Sequence, residues 1–177
     1  MPHVSSGPPA SAGRLPGPGD RLPDGVAAAL RVAPGAWRAG RESVVVVLLS
    51  SADAAAPGYV RELAAADAAF RAWDGRVFVL VEDGRGDGAR LVAEATGAPP
   101  PVVLADGGGV RRALGLAAGA AGVVVADRWG QVYHATEADA ASGLPAPPEL
   151  EEWLRFLATQ CPECGVPDEP GPGEWSR

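Results

Sequence analysis

The segment Val44-Val45-Val46-Val47-Leu48-Leu49-Ser50-Ser51-Ala52-Asp53-Ala54-Ala55-Ala56-Pro57-Gly58-Tyr59 changes character halfway along. Val44 to Leu49 is a continuous apolar run, the pattern of a strand covered on both faces. Beyond the loop, Tyr59, Leu63, Ala66, Phe70 and Trp73 recur at helical spacing. Pro57 falls near the first turn, where a helix has no use for the missing N–H. A buried strand that feeds a helix is the building unit of a layered α/β domain.

Reading outward, Arg76 to Val81 is a second buried strand, and Ala89 to Thr96 a shorter helix stopped by Gly97 and three prolines. Pro101 to Leu104 reads as a third, brief strand, followed by Gly107-Gly108-Gly109 and a short helical stretch, Val110 to Leu114. Val123 to Ala126 and Gln131 to Ala135 flank Asp127-Arg128-Trp129-Gly130, a hairpin whose glycine supplies positive φ at the end of the turn. Leu150, Trp153, Leu154 and Leu157 then mark one face of a last helix, Pro148 to Gln160. This order predicts an α/β domain with a mixed central sheet and helices on both faces. No internal repeat is visible.

Composition bounds the rest. A chain of 177 residues with 47% apolar content has room for one domain with a real core. All 15 basic residues are arginine, a bias expected of a GC-rich bacterial genome, so alanine and glycine runs carry little weight. A net charge of -7 argues against nucleic acid, which needs clustered cations, and against anionic membrane surfaces. The longest apolar stretch, Ala113 to Ala126, is broken by glycines and shorter than the roughly 20 residues of a membrane span. The segment from Met1 to Asp20 has no apolar core of a secretory signal, so the expected location is cytoplasmic. The expected organisation is a disordered Pro/Gly-rich segment at 1–19, a folded domain at 20–160, and a cysteine knuckle with a flexible tail at 161–177.

Three strings in this order resemble the thioredoxin-like redoxins, and among them the alkyl hydroperoxide reductase/thiol-specific antioxidant (peroxiredoxin) family. They are Gly19-Asp20-Arg21-Leu22-Pro23-Asp24, the Val44 to Leu49 run with its loop and Arg61-Glu62-Leu63 helix, and Val123 to Gly130. The resemblance covers about Gly19 to Gln160 and implies a thioredoxin-like fold with antioxidant or oxidoreductase chemistry. It also implies a nucleophilic cysteine at the start of the helix after the first core strand, where the helix dipole favours a thiolate. No cysteine stands there. With Arg61-Glu62-Leu63 as register, Ala56 and Tyr59 occupy the two positions of a thioredoxin C-x-x-C. Ahead of the hairpin strand, where the family has an arginine or a cis-proline, this chain has Ala120, Ala121 and Gly122. The resemblance therefore implies a degenerate site at Ala56, Tyr59 and Ala121. Hydroxyls at Ser50, Ser51 and Tyr59 are poor nucleophiles toward peroxide and read as capping and loop groups.

The two cysteines, Cys161 and Cys164, lie three apart in Cys161-Pro162-Glu163-Cys164-Gly165, just after the last helix. A helix C-terminus presents negative potential and opposes a thiolate. Cys-Pro-x-Cys-Gly has the local shape of a zinc-ribbon knuckle, which supplies two of four ligands. The others would come from a second copy of the chain, in a homodimer, or from His3 or His134. Zinc binding, reversible disulfide pairing and a pair of inert thiols remain three open readings. His134 reads as a solvated strand-end residue. Asp53, Asp83 and Asp106 read as solvated loop ends, and Gly84 to Gly88 as a flexible loop without a nucleotide fingerprint. Phe156 and Trp129 lie off the apolar faces and suit a contact with a second copy or a protein partner. The functional expectation is a non-catalytic binding or scaffold module. The alternative is a thiol-disulfide oxidoreductase using Cys161 and Cys164.

Overall fold

The computed structural model describes residues 14–82, 102–106 and 108–160. Its centre is a five-stranded sheet in the order β3-β2-β1-β4-β5, made of β1 (Ser43–Ser50), β2 (Gly75–Glu82), β3 (Val102–Asp106), β4 (Ala121–Ala126) and β5 (Val132–Ala138). β1, β2 and β3 run parallel, with Val46 beside Phe78 and Leu80 beside Leu104. β4 runs antiparallel to β1, Val46 facing Val124, and β5 is antiparallel to β4. Among the described residues four α-helices accompany the sheet: α1 (Asp24–Val32), α2 (Ala56–Ala72), α3 (Gly109–Ala113) and α4 (Pro147–Thr159).

The continuous apolar run in β1 has a direct cause. Val45, Val47 and Leu49 pack with α2 and α4 on one face, while Val44, Val46 and Leu48 pack with α1, Trp37 and Leu114 on the other. Neither face of the central strand meets water, so no polar residue interrupts it. The predicted hairpin is present, with Gly130 at φ +82° closing its turn. The predicted α2 and α4 are present within a residue or two. The helix read at Ala89 to Thr96 lies outside the described residues.

Two features depart from the sequence reading. α1 went unread, although Val26, Ala27 and Leu30 bury one of its faces. The packed body also starts ahead of Asp20: Leu15 is buried, and Gly19 donates its N–H to the Val132 carbonyl at 2.8 Å.

β5 carries a bulge. The register shifts between Val125 and Ala126, which face His134 and Val132, so Tyr133 is the extra residue. A bulge lets two neighbouring side chains share a face. Tyr133 and His134 accordingly both meet α4, Tyr133 edge-on to Phe156 at 6.2 Å and His134 stacked on Trp153 at 5.1 Å. His134 is thus a half-buried member of the sheet-helix contact, in place of the solvated strand-end residue expected.

α4 lies beside α2 and points the same way. Near its start, the Pro145 carbonyl meets Tyr59 in the first turn of α2. Midway, Glu151 accepts from the Trp73 indole N–H at the far end of α2, at 3.3 Å. Leu154 presses on Gly75, where an added Cβ would lie 2.5 Å from its Cδ1 and 2.9 Å from the Phe70 carbonyl oxygen. The 13 residues of α4 span about 20 Å, so Thr159 sits at the opposite end of the domain from Tyr59.

Candidate functional site

The site implied by the resemblance lies where β1 ends and α2 begins. The connection at 51–55 is held by Asp53: Oδ1 accepts the Ala55 N–H at 2.9 Å and Oδ2 accepts the Ala141 N–H at 2.6 Å. One carboxylate therefore fixes both the entry to α2 and the short 3₁₀ turn Ala141–Gly143 that follows β5. The expectation that Asp53 is a solvated loop end gives way to this bridging role.

Ala56 is the first residue of α2 and is fully buried. Tyr59, one turn on, is 7% exposed, and its hydroxyl donates to the Pro145 carbonyl at 2.8 Å. Burial, and then the negative charges of Glu62 and Glu149, raise the phenol well above its ordinary value. Tyr59 is a neutral hydrogen-bond donor, not a nucleophile. Ser50 Oγ accepts the Ala52 N–H at 3.3 Å, as the loop-bonding reading expects. Beside Tyr59 a cleft of about 420 Å³ opens between Ala55, Gly58 and Glu62 on one side and Ser142, Leu144 and Ala146 on the other.

Ala121 opens β4 and is buried in the same core as Ala56. The structure therefore brings Ala56, Tyr59 and Ala121 to one end of the sheet. The neighbour that sequence reasoning missed is Arg111, on α3 and 2% exposed. Its Nη1 donates to the carbonyls of Ala117 and Ala120 at 2.8 and 2.6 Å, and its Nη2 to the Leu49 carbonyl at 3.0 Å. Nε lies 3.2 Å from the Glu82 carboxylate without the alignment of a hydrogen bond. Glu82 Oε2 also accepts the Gly119 N–H at 3.0 Å. Asp106 starts α3 by accepting the N–H groups of Val110 and Arg111 at 3.2 and 2.9 Å, so it too is a buried cap in place of the solvated loop end expected. Asp83 lies outside the described residues.

The arrangement is an open cleft beside a neutral phenol, with a buried cation behind the turn into β4 and no thiol among the described residues. Among the described residues it offers no group for attack on peroxide or disulfide. His134 hydrogen-bonds through Nε2 to Thr136 Oγ1 at 2.8 Å, and burial lowers its pKa while Glu149 partly offsets the effect. Among the described residues no three His, Cys, Asp or Glu side chains gather in a way that would hold a metal ion. Cys161, Cys164 and His3 lie outside the described residues.

No protein-family model matches the sequence, and no curated protein does. Solved structures do match. A thioredoxin-family thiol:disulfide interchange protein from Chlorobium tepidum aligns with a TM-score of 0.54 at 13% identity, covering 84% of this chain and 99% of that one. A putative DsbE thiol:disulfide interchange protein from the same organism aligns at 0.53 and 19%, covering 67% and 80%. A secreted Mycobacterium tuberculosis disulfide oxidoreductase homologous to DsbE aligns at 0.52 and 11%, covering 67% and 84%. The chain has the thioredoxin-like fold. No helix among the described residues is long and apolar enough to cross a membrane.

Proposed function

We propose that this chain is a thiol-disulfide exchange protein in which the reacting pair is Cys161 and Cys164, while the Tyr59 end of the domain binds without reacting. The observation that carries this reading is a thioredoxin-like fold whose first α2 turn holds no sulfur, in a chain whose only two thiols stand at C-x-x-C spacing. Similar folds in the interchange proteins named above support the reaction class.

In the reaction, one thiolate attacks a partner disulfide and displaces a partner thiolate, leaving a mixed disulfide. The second cysteine then attacks its neighbour's sulfur and releases the other partner thiolate. Two electrons pass to the partner, two protons are released from the pair, and a Cys161–Cys164 disulfide remains. Cys161 stands two residues beyond Thr159, a reach of about 7 Å, which supports a reacting site separate from the pocket at Tyr59.

A second reading is favoured by the cleft beside Tyr59, whose lining among the described residues includes no cysteine: a binding module in which two copies share one zinc through four thiolates. Thiol counting and metal analysis of the full chain separate the two. Exchange predicts a metal-free protein, two titratable thiols, and a two-electron midpoint within the range of roughly -120 to -270 mV seen for redoxins. Cys161→Ser and Cys164→Ser each abolish it. Thiols blocked until chelation, with about half a zinc per chain, would overturn exchange in favour of the shared metal.

A further inference from the structure

We draw no further inference here: the strongest candidate, the aromatic surface patch beside the β5 edge where the exposed Phe156 of α4 meets Tyr133 and Trp153, is an apolar face without a partner among the described residues, and nothing in the structure shows what covers it.

Discussion

Arg111 donates from Nη1 to the carbonyl oxygen of Ala120 at 2.6 Å, one residue before β4 begins. The turn into β4 is the place where the resembled families rely on an arginine or a proline in the turn itself. Here a guanidinium from α3 shapes it from beneath, through carbonyls belonging to the turn and to the end of β1.

Replacing Arg111 by alanine leaves the Ala117, Ala120 and Leu49 carbonyls without these donors and the Glu82 carboxylate without its cation. Removing one partner from such a buried set costs on the order of 3 kcal/mol. Arg111→Lys recovers less than half, because a single ammonium cannot reproduce the planar fork. Denaturant unfolding midpoints of the two variants provide the measurement. A loss below about 0.5 kcal/mol for the alanine variant contradicts the clamp.

Tyr59→Phe removes the bond to Pro145 while keeping the ring. The expected loss is about 1 kcal/mol, together with faster hydrogen exchange in the 141–146 connection. Unchanged exchange there would mean that Asp53 alone holds the connection.

Glu42 gives stability a dependence on acid. Burial pushes its carboxyl up, but hydrogen bonds from the Arg38 and Arg76 guanidiniums and the Arg38 N–H outweigh it and hold the group at about 2, below its ordinary 4.5. A lowered folded-state value means that the unfolded chain takes up the proton first. The stabilisation is complete above about pH 4.5 and is lost as pH falls from there through about 2. Because Arg38 is 62% exposed, screening reduces the contribution to about 2 kcal/mol. Glu42→Gln flattens that part of the stability-pH curve. An identical acid dependence in variant and wild type would remove Glu42 from the account.

Gly75→Ala tests the approach of α4 to the start of β2. The added methyl meets a fully buried leucine and a backbone oxygen, neither with room to retreat, and overpacking of this kind costs about 1–3 kcal/mol. Gly58→Ala, with nothing within 4 Å of the new atom, is the control and changes stability far less. Equal effects for the pair would mean that backbone entropy, not packing, sets the cost.

The contrast between residues that could and could not be read has physical causes. β1 was legible because burial on both faces writes an unbroken apolar run, and the hairpin because its turn needs a glycine at Gly130. Both signals are local. α1 was not legible, since in an alanine-rich chain Ala27, Ala28 and Ala29 give no contrast between a buried and an exposed face. Arg111 was hidden beside Arg112: the two are chemically identical, yet one is buried and the other exposed. Only the turn at 117–120, several residues downstream, decides which is which. Asp53 and Asp106 were likewise visible as residues but not as caps, because their partners lie on other segments.

The shared direction of α2 and α4 sets the cleft beside Tyr59 and the last residue of α4 at opposite poles of the domain. On the proposed function, binding beside Tyr59 falls at one pole, while the chain leaves α4 at the other, some 20 Å away. In that proposal the domain is the spacer that sets the distance between the two.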